Sequence, residues 1–250
     1  MKKLLTIFIL ALISQNIFAH EPLYGFGPHV LFKGGWAPHF TTHFNSSFFE
    51  TEYALGYGIT PKLTAIGEVS FSNENNVYAA EYYSLKSKYR FYLNNKPGFS
   101  HQVALIGKLS VPAEMGNPGA FDLAITGGRE GLKFYWFASA GYGVRFADNP
   151  VNPGDRFIYN LSLGYRPFKV SYYKPDLVLF VETTGFTYQK SKMDGEPVQD
   201  SGGSNLAVAP TFFFSYRNLA LRGGVQFGLW DNKFVTKPDT NFKITIELHI

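Results

Sequence analysis

The 250-residue chain contains no cysteine. That excludes a disulfide framework, a thiolate metal site and a lipid-modified cysteine anchor. Charged residues are also scarce, at 17% against about 25% in an ordinary soluble domain. The net charge of +4 is small and scattered, which leaves no basic patch of nucleic-acid-binding character. After the first nineteen residues no apolar run approaches the roughly 20 residues of a membrane-crossing helix. Catalytic motifs are missing as well: there is no Ser-centred nucleophile elbow, no zinc-binding helix and no phosphate loop.

The first nineteen residues carry the parts of an export signal. Lys2 and Lys3 form a positive start, Leu4 to Ile13 an apolar stretch, and Ser14 to Ala19 a region ending Ile-Phe-Ala. Cleavage after Ala19 is expected, so that the mature chain starts at His20. The alternative, an uncleaved anchor, asks too much of so short an apolar run. Three divisions follow: residues 1–19 as signal peptide, 20–31 as an N-terminal periplasmic segment, and 32–250 as a single β-barrel domain.

Aromatics make up 18% of the chain, with 25 Phe and 16 Tyr beside 25 Gly, yet mean hydropathy is close to zero. A helical membrane protein is plainly hydrophobic. A membrane barrel is not, because alternate residues of each strand face a polar interior. The alternation itself is visible throughout. In Leu132 to Phe146 one face reads Leu132, Phe134, Trp136, Ala138, Ala140, Tyr142, Val144 and Phe146; the other carries Lys133, Tyr135, Phe137, Ser139, Gly141, Gly143 and Arg145. In a strand these faces are opposite. The same period recurs in Leu63–Phe71, Val103–Val111, Phe157–Tyr165 and Phe242–Ile250.

The pattern predicts an all-β fold: an antiparallel transmembrane β-barrel of about twelve strands. Approximate spans are 32–44, 48–59, 62–73, 77–93, 100–112, 119–128, 131–146, 155–166, 176–190, 203–216, 218–230 and 240–250. Short turns and longer loops alternate between these spans, which places both termini on the periplasmic side. Tyr57, Phe91, Tyr165 and Tyr216 are expected near the periplasmic interface, and Phe71, Tyr142, Phe146 and Phe157 near the outer one. Pro210 falls within a strand and suggests a bulge, since it lacks a ladder donor. A soluble barrel with its apolar face inward is the competing architecture; its outer face would carry more Lys and Glu than either face here.

Two stretches carry a resemblance. The first is His20-Glu21-Pro22-Leu23-Tyr24-Gly25-Phe26-Gly27-Pro28-His29 with Leu31-Phe32-Lys33-Gly34-Gly35. The second is Ser201-Gly202-Gly203, Ala209-Pro210 and Arg217 to Gln226. They resemble the outer-membrane barrel family known as the MetA-pathway of phenol degradation. The resemblance implies an outer-membrane, transporter-like barrel for small, often hydrophobic compounds, with no catalytic residues and no cofactor. The chain departs from the aromatic ending that barrel assembly machinery reads, closing instead on Ile250.

The inward face is expected to hold charges of both signs. Lys86, Lys88, Arg90, Lys108, Glu68, Glu182 and Arg222 are the candidates for a solute path, and Lys86, Lys88 and Arg90 form the densest row of one sign. They read either as a salt-bridge network stiffening a narrow barrel or as a polar path favouring anionic or polar aromatic solutes. His39 and His43 lie too far apart along one strand to share an ion. A first hairpin turning at Asn45 to Ser47 sets His43 opposite Glu50 and Phe40 opposite Tyr53. His43 and Glu50 are then candidate metal ligands, or a plain cross-strand polar pair. His20, if it becomes the N-terminus, joins a free amine to an imidazole and is a third metal candidate. The expected function is an outer-membrane channel for small solutes. The alternatives are a plugged or metal-binding barrel without transport and, behind these, a lipid-modifying enzyme. Outer-membrane lipid, a small solute and the assembly machinery are the expected partners.

Overall fold

The computed structural model describes residues 20–46, 48–74, 77–114, 117–146, 151–169, 174–232, 235 and 239–250. The expected signal segment 1–19 lies outside the described residues. Twelve strands form a closed barrel: β1 (Trp36–Phe44), β2 (Phe49–Thr60), β3 (Leu63–Glu74), β4 (Val77–Lys96), β5 (Phe99–Pro112), β6 (Gly119–Gly131), β7 (Phe134–Phe146), β8 (Arg156–Tyr165), β9 (Asp176–Tyr188), β10 (Gly203–Tyr216), β11 (Leu219–Asp231) and β12 (Asn241–Leu248). Each strand pairs antiparallel with its neighbour in sequence. The ring closes where β1 meets β12, with His39 opposite Glu247 and Phe44 opposite Phe242. Closure continues beyond the strands, because Trp36 and Ile250 exchange both backbone hydrogen bonds, at 2.9 and 2.8 Å. A closed ring satisfies every ladder without an edge, which a strand must do in hydrocarbon.

Side-chain direction follows the two-residue period. On β7 Phe134, Trp136, Tyr142, Val144 and Phe146 are exposed while Tyr135 and Phe137 are buried. On β8 Phe157, Leu161, Leu163 and Tyr165 face out and Ile158 and Ser162 face in. A belt of exposed Leu, Ile, Val and aromatic side chains runs around eleven of the twelve strands, and on β3 the outward Leu63, Val69 and Phe71 are half-buried. Such a surface is stable only against lipid.

The two ends differ. Two-residue turns at Pro61-Lys62, Pro97-Gly98, Leu132-Lys133 and Arg217-Asn218 lie at the end that also holds Trp36 and Ile250. At Pro97-Gly98 the proline fixes the first corner and Gly98, with φ 89°, supplies the left-handed second corner of a type II turn. The opposite end carries the connections after β1, β3, β5, β7, β9 and β11. There, Val151–Asn152, Lys192–Met193 and Glu196–Pro197 pair into a small three-stranded sheet above the rim.

The first strand begins at Trp36, not at residue 32. Gly34 takes a φ of 81°, and the chain crosses β2 so closely that a Cβ on Gly58 would sit 1.9 Å from the Phe32 carbonyl oxygen. Pro210 leaves a gap in the ladder to β11 but keeps the register. The bulge on that pair falls at Leu206/Ala207.

Candidate functional site

Residues 20–31, expected outside the barrel in the periplasm, lie inside the ring instead. The segment enters at the short-turn end, folds back near Tyr24 and Gly25, and returns to β1. Its hold on the wall is polar and specific. Glu182 on β9 is almost fully buried, and its carboxylate accepts three consecutive backbone N–H groups: Leu23 at 2.8 Å, Tyr24 at 2.9 Å and Gly25 at 3.2 Å. Thr211 Oγ1 donates a fourth bond at 2.7 Å. Successive N–H groups converging on one anion make a nest; here the anion belongs to the wall and the nest to the plug. Thr126 Oγ1 donates to the Phe26 carbonyl at 2.7 Å, and Leu31 N–H donates to Thr64 at 2.8 Å.

His20 anchors the start of this plug. It is buried between the rings of Tyr135 and Phe213, at centroid distances of 5.3 and 4.7 Å. Its backbone N lies 3.2 Å and its Nδ1 3.1 Å from Glu130 Oε1, while Nε2 lies 2.9 Å from Asp176. Arg166 closes the group on Asp176 at 2.8 Å. Burial opposes protonation of the His20 ring, but the bonds to Asp176 and Glu130 outweigh it and raise its pKa above the ordinary 6.5. His29 returns to the same carboxylate, its Nε2 3.0 Å from Glu130 Oε2. Tyr135, Phe137, Val178, Phe180, Phe213 and Ala220 form a small apolar core on the wall beside it. The barrel's only buried apolar cluster among the described residues therefore sits where the plug docks.

The expected lumen charges are brought together. Lys86 and Lys108 stand directly opposite each other on β4 and β5, a repulsive placement. The carboxylate of Glu68, on β3, resolves it by bonding Lys86 and lying 2.6 Å from Lys108. Lys88 does not join that network; it pairs with Glu21 of the plug at 2.7 and 2.8 Å. Arg90 turns away to Gln102 and the Pro61 carbonyl, both at 2.9 Å. Arg222 pairs with Glu247 at 2.8 Å, and Asp122 accepts Arg156 in a bidentate fork. Glu182, expected to line a path, is occupied wholly by the plug and Thr211. Lys133, expected on the inward face, is exposed in the β6–β7 turn.

The metal candidates separate. His43 stands opposite Glu50, and Phe40 opposite Tyr53, in the expected register. On its other side His43 meets Lys243, a poor neighbour for a cation. His20 is bound by the dock just described. The ligand atoms of His39, Glu52 and Glu68 approach within 4.8 Å, but the Lys86 and Lys108 ammonium groups occupy Glu68, so charge is already balanced there without an ion.

Among the described residues, two cavities lie in the lumen beside the plug. The larger, about 450 Å³, lies between the plug and β1–β5, β11 and β12; the smaller, about 310 Å³, lies toward the loop end. Glu52 and Lys108 line both, so the two volumes adjoin along the barrel axis. Glu21, Tyr24, His29 and the Glu130–Arg166–Asp176 dock were not foreseen. The one local signal was the apolar, glycine-rich run Leu23 to Gly27, too sticky for a solvated linker.

The fold and its greasy belt define a membrane-spanning β-barrel of the outer-membrane type. No protein-family model and no curated protein matches the chain. Among solved structures it is similar to the COG4313 outer membrane channel from Pseudomonas putida F1, with TM-score 0.66 and 13% identity over 89% of this chain and 98% of that one. It is also similar to the NanC porin, with TM-score 0.54 and 7% identity over 85% of this chain and 97% of that one. At such identities the likeness speaks for the architecture.

Proposed function

We propose that the protein is an outer-membrane channel for small solutes, narrowed by its own N-terminal segment. The observation that carries this reading is the pair of adjoining cavities in a polar, charged lumen, sharing Glu52 and Lys108. The channel and porin similar in fold support it, and so does the resemblance to the phenol-degradation MetA-pathway family, which points toward small aromatic or hydrophobic compounds. In this reading the short-turn end, with both termini, faces the periplasm, as barrels prefer. Residues 1–19 direct export, and the periplasmic assembly machinery inserts the barrel.

Purified protein in planar bilayers is expected to give small discrete conductance steps, with larger ones when the plug leaves. A barrel that is silent both intact and with the plug weakened would overturn the channel reading. The second reading, a plugged structural barrel, is favoured by the four bonds on Glu182. It predicts silence in the intact protein and no solute flux into liposomes.

A further inference from the structure

We propose that the larger lumen cavity is a binding subsite for a small organic monocarboxylate, with the Lys243 ammonium as its counter-charge and the Tyr24 ring beside it. The proposal deepens the channel reading and rests on it for transport, though not for binding.

The argument starts from charge balance. Cations outnumber carboxylates on the cavity wall. Two are neutralised in one-to-one pairs: Lys88 by Glu21, Arg222 by Glu247. Lys86 and Lys108 share Glu68, with the Glu52 carboxylate beside it, so their charge is balanced. Lys243 has no carboxylate within ion-pair distance among the described residues. Its ammonium lies 5.5 Å from the Tyr24 ring centroid, and both residues line the cavity.

A cation confined in a narrow lumen with low-dielectric walls attracts a mobile anion, because too little water surrounds it to screen it fully. Of the other wall cations without a carboxylate partner, Lys33 is exposed and Arg90 is bound to Gln102 and the Pro61 carbonyl, so Lys243 offers the cavity one positive charge, which matches one negative charge better than two. The remaining wall decides the body of the ligand. Leu23, Phe26, Leu31 and Ile66 line the same cavity, and they offer nothing to a bare inorganic ion. They suit a short apolar or aromatic group. The volume of about 450 Å³ falls in the range of about 300–1,000 Å³ common to small-molecule sites.

Isothermal titration of the detergent-solubilised full chain with benzoate tests the binding, with benzamide as the uncharged analogue and chloride as the inorganic anion. Benzoate is expected to bind. Benzamide should bind at least tenfold more weakly, and Lys243→Gln should weaken benzoate at least tenfold while Lys243→Arg restores it. Heat-modifiable mobility on gels establishes that each variant is folded. Should Lys243→Gln fail that check, Tyr24→Ala takes its place, with the same tenfold loss expected. The proposal is overturned if benzoate does not bind, if folded Lys243→Gln binds it as the parent does, or if chloride at equal concentration displaces it fully. Bilayer recordings separate the two readings. Benzoate binding without any conductance would leave the subsite standing and remove the channel, whereas conductance that benzoate does not reduce would remove the subsite alone.

Discussion

Glu182→Ala should unlock the plug. In the parent the buried carboxylate holds three plug N–H groups and Thr211. Removing it leaves three donors unsatisfied while the plug stays docked. A buried unsatisfied donor costs about 1–3 kcal/mol; the lower half of that range suits a site at the edge of a wet lumen. Three donors then cost the docked state roughly 3–6 kcal/mol. With about 1.4 kcal/mol per tenfold, the docked-to-free ratio falls by about two to four orders of magnitude. Glu182→Gln keeps the shape and one acceptor but loses the charge and turns an amide donor toward N–H groups. Its cost is about 1.5–3 kcal/mol, the worth of hydrogen bonds to a charged group. The barrel itself keeps its ladders, since Glu182 contributes only one side-chain bond to the wall. The assay is single-channel recording combined with limited proteolysis of residues 20–31. Larger, persistent steps and faster cleavage are expected in the order Ala, Gln, parent. Equal conductance and equal protection in all three proteins would refute the view that this carboxylate holds the plug.

The His20 dock predicts a pH dependence. Asp176, Glu130, Arg166 and His29 face the ring, and its pKa is raised in the folded protein. A raised pKa means that the protonated ring stabilises docking fully below the ordinary 6.5 and that this support is lost as pH rises through the folded value. Proteolysis of the plug should therefore accelerate with rising pH, and His20→Gln should flatten the profile. On the outer face, Leu161→Arg places a cation mid-strand against lipid and should cost about 2–4 kcal/mol of folding stability in vesicles; a neutral effect would argue for a water-facing surface. In the lumen, Arg156→Ala leaves buried Asp122 without its fork and should lower stability to denaturant by about 1–3 kcal/mol, with Arg156→Ala/Asp122→Ala recovering part of the loss.

The strands were legible because their signal is local. Alternation at period two needs no knowledge of partners, and the short first hairpin fixes register by itself, which is why His43 stands opposite Glu50. The inward charges on β3, β4 and β5 were legible for the same reason. Their pairings were less so, because one carboxylate, Glu68, answers to residues on two other strands. The plug was beyond local reading. Residues 20–31 have no period, and their partners lie 67 to 159 positions away at Lys88, Glu130 and Glu182. Strand spans overran at Phe32–Gly35, where hydrophobic alternation continues through a glycine turn that only the approach to Gly58 explains.

The division of charge inside the ring ties the plug to the proposed selectivity. Glu182 and Glu130 spend their charge on the plug, whereas the free volume is bordered mainly by cations. Deleting residues 20–31 would bare both carboxylates to the lumen, remove Glu21 and release Lys88 from its partner. Two wall anions are then exposed for one cation freed, so the wider pore should discriminate less in favour of anions than the intact one. Reversal potentials under a potassium chloride gradient measure this directly. A shift toward cations on deletion is expected, alongside higher conductance. If the deleted protein conducts more but keeps the anion preference of the parent, the plug is a steric constriction only and the wall carboxylates do not shape the field that solutes feel.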